Sequence, residues 1–137
     1  MATFNKFNAF VENLAEKVHN LGSDQLVVAL TNSAPTASNS VLADITQITY
    51  TNLSSRNITT STSSQTSGLY KLVLTDLVLT ATGAVGPFRY VVVYNDTPTS
   101  PADPLIGYFD YGSSISLASG ETLTIDFDAS NGLLNLQ

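Results

Sequence analysis

The second half of the chain is a succession of short segments in which apolar residues run together or alternate with small polar ones. Turn-forming residues, mainly Gly, Pro, Asn and Ser, separate each segment from the next. This pattern has the period of β-strands and excludes long helices from that half. The segments that we predict as strands are 69–75, 77–82, 88–95, 105–111, 121–128 and 132–136.

The first half adds weaker strand signals. Residues 25–31 form an apolar run of strand length, 43–50 form a weak or irregular strand, and the Thr-, Ser- and Asn-rich stretch 51–68 is predicted as an exposed edge strand with loops. The chain is therefore predicted to be mainly β, with about eight short strands. These strands are expected to form a β-sandwich over about residues 25–137, with a jelly roll as one possible topology.

Two further predictions concern the organisation of these strands. The nearly continuous apolar segment 88–95 is expected to be a central strand that is covered on both faces. No linker divides the sequence, so residues 1–137 are predicted to form a single domain. Periodicity does not determine the order of the strands.

An amphipathic helix is predicted over about residues 4–20. Apolar residues recur there at steps of three and four, which places them along one stripe of a helix; they are Phe4, Phe7, Val11, Leu14, Val18 and Leu21. Gly22 stands where a left-handed C-cap is expected. Because such a stripe is not stable alone in water, the helix is expected to pack on its own domain or on a neighbouring subunit.

Charge is scarce in this chain. Charged residues make up 12% of it, the net charge is −6, and the five basic residues, Lys6, Lys17, Arg56, Lys71 and Arg89, are scattered. Nucleic acid is therefore not an expected partner, because phosphate binding needs clustered cations. A surface so poor in charge must be solvated by Thr, Ser and Asn or covered in part by neighbouring molecules.

The absence of cysteine excludes disulfides and thiolate sites. Neither a signal peptide nor an apolar stretch of about 20 residues is recognisable, so we expect a soluble protein that is made in a cytoplasm and has no membrane partner.

Few side chains suggest chemistry. His19, the single histidine, falls near the end of the predicted helix, where the helix C-terminus accounts for it without a substrate. Asp126 and Asp128, two residues apart in a predicted strand, would share one face, and whether they bind a cation is left open beside the simpler role of turn caps. No catalytic residue, metal or cofactor is predicted, and the chain is not expected to be an enzyme.

The loop 95–104 contains three of the five prolines. Proline fixes φ, so this loop is expected to be stiff and suited either to contacts between subunits or to an ordinary connection. The aromatic residues around it are expected to pack in the core, with glycan stacking as the alternative; they are Tyr90, Tyr94, Tyr108, Phe109 and Tyr111.

A set of short motifs is spread along the chain: 4–7 (FNKF), 86–90 (GPFRY), 94–96 (YND), 104–112 (PLIGYFDYG), Leu117, 120–122 (GET) and 125–127 (IDF). In these motifs the chain resembles a recurrent small structural protein of tailed bacteriophages. The resemblance spans nearly the whole chain, and its motifs are structural. It implies a virion protein, first of all a capsid decoration (cement) protein that binds the major capsid protein shell and stabilises the head. A neck or tail ring component and a receptor- or glycan-binding module are the alternatives.

This interpretation implies partners and contact residues. The expected partners are the major capsid protein and further copies of the chain, with a trimer as the assumed oligomer, at the capsid surface of a virion whose proteins are made in a bacterial host cytoplasm. The residues predicted to form interfaces are Phe4, Phe7, Arg56, Thr97, Pro98, Pro101 and Pro104.

Overall fold

The computed structural model describes residues 2–137, and over these residues the chain is mainly β with one short α-helix, as predicted. The helix, α1, spans Asn8–Ala15, and a 3-10 turn spans Leu42–Asp44. The strands are β1 (Phe4–Lys6), β2 (Leu26–Thr31), β3 (Asn57–Ile58), β4 (Thr60–Thr66), β5 (Leu69–Leu74), β6 (Leu77–Thr80), β7 (Val85–Asn95), β8 (Leu105–Leu117), β9 (Thr122–Ile125) and β10 (Leu134–Leu136).

The strands pair antiparallel and build three sheets. A five-stranded sheet has the order β1-β8-β7-β2-β3, a three-stranded sheet has the order β10-β5-β4, and β6 pairs with β9. The first and last strands of the chain, β1 and β10, are both edge strands. Each of these two strands is therefore paired on one side only, and no strand among residues 2–137 pairs with its other side.

The central pair β2–β7 is buried on both faces. All six residues of β2 are buried, and so are the last six residues of β7. Side chains alternate across a strand, so Val91 and Val93 enter the larger core cluster, while Val92 and Tyr94 enter a second cluster on the opposite face. The prediction of a doubly covered central strand at 88–95 is confirmed.

Residues from outside the strands cover the second face of this sheet. Phe7, which is fully buried, and Ile45 pack there against β2 and β7. Ile45 follows the 3-10 turn, which the Asp44 carboxylate holds by accepting hydrogen bonds from the backbone N–H groups of Ser40 and Val41. The prediction of a strand at 43–50 is therefore wrong. This segment forms no strand, and its residue Ile45 packs on the second face of the five-stranded sheet.

The predicted helix over residues 4–20 is wrong at both ends. Residues Phe4–Lys6 form strand β1, which pairs with β8, and α1 begins only at Asn8. At the other end α1 stops at Ala15, and Lys17 takes the left-handed φ of 70° that the prediction assigned to Gly22. The helix packs on its own domain, since Phe10 lies in the larger core cluster.

A glycine in β8 explains why Phe4 belongs to a strand. Gly107 lies opposite Lys6 in the β1–β8 register, and the Phe4 ring crosses directly over the Gly107 backbone. A Cβ on Gly107 would collide with this ring and would stand 2.7 Å from the Asn5 carbonyl oxygen. The same ring packs on Phe109 at 5.1 Å between centroids. These contacts are available to Phe4 only in the strand.

The other predicted strands are present with shifted ends. Strands β2, β5, β6, β7, β8 and β10 match the predicted segments 25–31, 69–75, 77–82, 88–95, 105–111 and 132–136. The stretch 51–68 contains β3 and the exposed edge strand β4, as predicted. Strand β9 ends at Ile125, so the prediction of a strand through Asp128 is wrong in its last three residues.

Gly107→Ala is expected to destabilise the fold by about 1–3 kcal/mol, because the added methyl group displaces the Phe4 ring or separates β1 from β8. Urea unfolding measures the loss. The control is Gly22→Ala, whose added Cβ meets no atom closer than 3.5 Å. Equal stabilities of the two variants would contradict the packing of Phe4 on Gly107.

Candidate functional site

The predicted interface residues fall on two different sides of the five-stranded sheet. Phe4 lies in β1 at one edge, whereas Arg56 precedes β3 at the other. The structure brings Arg56 close to the proline-rich loop, because Tyr94 lies beside Arg56 and also near Asp96 and Asp103. The candidate site on this side, which we call the Arg56 surface, consists of Arg56, Tyr50, Tyr94 and the loop 96–104.

Burial separates the seven predicted interface residues further. Phe7 and Pro104 are buried inside the chain, so in this conformation they have no surface to offer a partner. Phe4, Arg56 and Pro98 are half-buried, and only Thr97 and Pro101 are exposed.

Arg56 completes the open side of β2. Strand β3 pairs with only the first two residues of β2, so on this side of β2 the backbone N–H and C=O groups of Val28 and Leu30 have no strand partner, although both residues pair with β7 on the other side. Arg56 forms hydrogen bonds with both backbone groups of Val28. The Arg56 Nη1 donates to the Val28 carbonyl at 2.6 Å, and the Arg56 carbonyl accepts from the Val28 N–H at 3.0 Å. Its guanidinium carbon stands 3.7 Å from the centre of the Tyr50 ring, within cation–π range.

Tyr50 and Ile48 continue the same edge. The Tyr50 hydroxyl accepts from Leu30 N–H at 2.9 Å, and Ile48 N–H donates to the Leu30 carbonyl at 3.0 Å. Burial raises the pKa of the Tyr50 hydroxyl, an effect that the hydrogen bond at Leu30 and the Arg56 charge partly offset. Side chains thus replace a strand at this edge, which protects it from pairing with other chains.

The loop 96–104 is held at both ends and in its middle. Asn95 N–H donates to the Pro104 carbonyl at 3.0 Å, the Asn95 side-chain oxygen accepts from Thr97 N–H at 3.1 Å, and Thr99 bridges to Ala102. Burial raises the pKa of the Asp103 carboxyl, and the neighbouring Asp96 raises it further. The loop therefore presents exposed Thr97 and Pro101 on a fixed backbone.

A buried polar network lies under the base of this loop. Asn95 is fully buried, and its Nδ2 donates to Asp24 Oδ2 at 2.7 Å and lies 3.0 Å from His19 Nδ1. Because the Asn95 amide nitrogen is a donor only, Nδ1 must accept, and His19 is neutral with its proton on Nε2. Gln25 N–H donates to Thr97 Oγ1 at 2.9 Å, which ties the start of β2 to the loop.

His19 has a structural environment that differs from the predicted one. It lies four residues beyond the end of α1, is 6% exposed, and packs on the Phe10 ring at 5.2 Å. Its Nε2 is buried and has no hydrogen-bond partner among the described residues. Burial lowers the pKa of the imidazole, and the Asp24 charge opposes that shift in part.

Asp126 and Asp128 do not share the face of a strand. Both follow β9, Asp128 has a left-handed φ of 56°, and their side chains cap turns. Asp126 Oδ1 accepts from Asp128 N–H at 2.8 Å, and Asp128 accepts from Asn131 N–H at 3.0 Å and from Asn131 Nδ2 at 2.8 Å. Within residues 2–137 no three acidic or histidine side chains group closely enough to hold a metal ion.

The aromatic residues divide between core and surface. Tyr90, Tyr94 and Phe109 are buried, as core packing predicts, whereas Tyr108 and Tyr111 are half-buried. Sequence reasoning missed the roles of Tyr50, Asn95 and Asp24. A polar residue at the end of the apolar run 88–95 was a signal for a buried network at Asn95, but its partners His19 and Asp24 come from distant parts of the chain.

No protein-family model, curated protein or solved structure matches this chain. Among residues 2–137 no helix has the length and apolarity that a membrane crossing requires.

The buried His19 predicts a pH-dependent stability. Its folded-state pKa is lowered, so the unfolded chain binds more protons, and the stabilisation is complete above the unfolded pKa of about 6.5 and is lost as the pH falls through the folded pKa. The free energy of unfolding should drop between about pH 7.5 and about pH 5.5, by at most about 1.4 kcal/mol per pH unit.

His19→Gln separates this effect from the titration of carboxylates. Gln carries no titrating group, so the variant should have a flatter profile than the wild type over the same interval, as measured by urea unfolding at each pH. Parallel profiles would show that His19 is not the group responsible.

Arg56→Ala is expected to lower the free energy of unfolding of the isolated chain by about 1–3 kcal/mol, because Val28 loses a hydrogen bond and Tyr50 loses its stacked cation. Arg56→Lys should restore only part of it. Lys6→Ala, at an exposed cation with no side-chain hydrogen bond, is the control and should stay within about 0.5 kcal/mol. An Arg56→Ala chain as stable as the wild type would contradict a stabilising role for the Arg56 contacts with Val28 and Tyr50.

Proposed function

We propose that this chain is a capsid decoration protein of a tailed bacteriophage, which binds the outside of the major capsid protein shell and stabilises the head. Its role is structural and not enzymatic, it needs no cofactor, and it acts as a homo-oligomer, with a trimer as the working assumption. The observation that carries the proposal is the edge strand β4, in which five of the seven residues are exposed and none is charged.

Edge strands of monomeric proteins are usually protected by charged side chains, proline or a covering element. The sequence of β4, Thr-Ser-Thr-Ser-Ser-Gln-Thr, has none of the first two, and its far side pairs with no strand among residues 2–137. A permanent neighbour provides that protection in an assembled particle. The low share of charged residues, 12%, supports the same interpretation, because a covered surface needs less charge.

The fold is part of the proposal: we infer a two-layer, jelly-roll-like sandwich. In support, the larger core cluster combines residues from all three sheets, including Val91 of the five-stranded sheet, Leu72 of the three-stranded sheet, and Leu79 and Ile125 of the β6–β9 pair. A rigid sandwich suits a protein that must keep two contact surfaces at a fixed spacing.

The Arg56 surface is the second proposed contact. Its loop presents uncharged Thr97 and Pro101 on a backbone that hydrogen bonds already hold, so little conformational entropy is lost when a shell protein covers it. Many modest contacts of this kind, repeated over a shell, add up to particle stability. A neck or tail ring would use few copies instead, with head-to-tail interfaces.

Copy number and head stability test the proposal. Quantitative mass spectrometry of purified virions should give hundreds of copies, in contrast to about a dozen for a ring at the neck. Heads that lack the protein should assemble but release DNA at a lower temperature. A low copy number, or deletion heads as heat-stable as the wild type, would contradict the capsid role.

Variants of β4 test the surface that carries the proposal. Thr62→Lys and Ser64→Lys place charges on the exposed edge and should abolish self-association or rebinding to stripped heads while leaving the fold intact. Ser113→Lys, at an exposed position within β8, is the matched control and should assemble normally. Normal assembly of the β4 variants would exclude this strand as a contact.

A further inference from the structure

An apolar groove runs between α1 and the two terminal edge strands. It has a volume of about 730 Å³ and is lined by one face of α1, by β1 and by β10; the side chains that matter here are Phe10, Val11, Leu14, Lys6, Leu134 and Leu136. Val11 and Leu136 are two of the three large apolar residues that the described chain leaves more than half exposed, at 52% and 57%. Such a concentration of exposed apolar side chains is a mark of binding sites.

The groove also contains unpaired backbone. The Phe7 N–H donates to the Ile106 carbonyl, so the backbone of Phe7 faces β8. This hydrogen bond shows which residues of β1 direct their N–H and C=O groups towards β8 and which direct them away from it. In an antiparallel ladder every second residue turns its N–H and C=O outward. Phe4 and Lys6 are those residues, and their outward groups have no partner among residues 2–137. Strand β10, which lines the same groove, likewise has one unpaired side.

The charges around the groove have one sign. Arg89 pairs with Asp110, Arg56 is bound to Val28, and the Lys71 ammonium donates to the Ser130 carbonyl. The two remaining cations, Lys6 and Lys17, make no side-chain hydrogen bond within residues 2–137. Lys6 lines the groove, and Lys17 lines a shallower depression that shares Leu14 and Leu136 with it.

Two acidic residues, Glu12 in α1 and Glu16 directly after it, point away from this surface. Phe10, Val11 and Leu14 lie on the helix face that lines the groove, whereas Glu12 and Glu16 fall on the opposite side of the helical wheel and line neither depression. A protein with a net charge of −6 thus has one free lysine, Lys6, in the apolar groove and a second, Lys17, in the adjoining depression, and no aspartate or glutamate side chain lines either of them.

We propose that this groove binds an extended segment of another protein that presents both apolar side chains and carboxylates on one face, at every second position of its chain. The segment adds to the open side of β1 through the outward backbone groups of Phe4 and Lys6. Its apolar side chains cover Val11 and Leu136, and its carboxylates meet Lys6 and Lys17. The inference is independent of the proposed virion role, since any partner with this chemistry satisfies the groove.

A second copy of the chain is a poorer occupant. Two copies related by a two-fold axis at this groove would bring the Lys6 residues of both copies into one interface, with no aspartate or glutamate of either groove to pair with them. The chain's own acidic strand, β8 with Asp110, is paired on both sides in the five-stranded sheet and is not free to insert elsewhere.

The test uses the whole chain and a short fluorescein-labelled peptide in which every second residue is in turn Val or Asp, with Ser between them, so that Val and Asp share one face of the extended peptide. Fluorescence anisotropy should show saturable binding that weakens with added salt. Leu136→Asp should weaken it by about tenfold or more. Lys6→Ala should weaken it about two- to fivefold, and Lys6→Pro by about a further fivefold, because proline also removes the outward N–H.

Two controls make the result specific. Val78, 52% exposed on β6, is the third large exposed apolar residue, so Val78→Asp should leave binding unchanged. A peptide with Lys in place of Asp should not bind. No saturable binding, or equal losses in Val78→Asp and Leu136→Asp, would overturn the proposal. So would a dimer, seen by sedimentation, that Leu136→Asp dissociates, since the occupant would then be a second copy.

Discussion

The antiparallel pairing of β2 with β7 is the interaction on which the rest of the structure depends. Six consecutive register pairs join Leu26–Thr31 to the last six residues of β7, and apolar side chains leave this ladder on both faces. Each fully buried Val or Leu contributes about 1.5–3 kcal/mol only if its face is covered. The remaining elements provide that cover: β5, β6 and β9 on one face, and Phe7 with the segment around Ile45 on the other.

A sheet whose centre is completely buried confines binding to its edges and loops. One side of the five-stranded sheet is closed by the side chains of Arg56 and Tyr50, while the other ends in β1, whose outer backbone is open. The network of His19, Asn95 and Asp24 fixes the base of the proline-rich loop beside the closed side. The chain thus combines a rigid interior with a few surfaces that are poor in charge, a combination that suits assembly.

Local patterns predicted the strands that consist of apolar runs, since β2 and β7 bury most of their residues. Local patterns failed where a contact with a residue far away in the sequence determines the secondary structure. The spacing of Phe4 and Phe7 fits a helix stripe as well as a strand, and only the bare backbone of Gly107, about a hundred residues away, selects the strand. Asp126 and Asp128 have strand spacing, but their side chains bond nearby backbone N–H groups and end β9.

The candidate contacts were predictable only in part. The stiff loop and the exposed polar edge followed from proline content and from the Ser- and Thr-rich composition, whereas the role of Arg56 depends on the shortness of β3, which no local pattern reveals. Phe7 was predicted to contact another protein because the apolar stripe of a helix must be buried against some surface. In the structure Phe7 is buried against the second face of the chain's own five-stranded sheet. The identity of an external partner is not encoded in any single motif of the chain.

Amide hydrogen exchange of the isolated chain tests the central claim of a doubly buried strand pair with open edges. The amides of β2 and of the last six residues of β7 should exchange only through global unfolding, whereas the outward amides of β1 and those along the free side of β4 should exchange orders of magnitude faster. Protection of the β4 amides equal to that of β7 in the isolated chain would contradict the account.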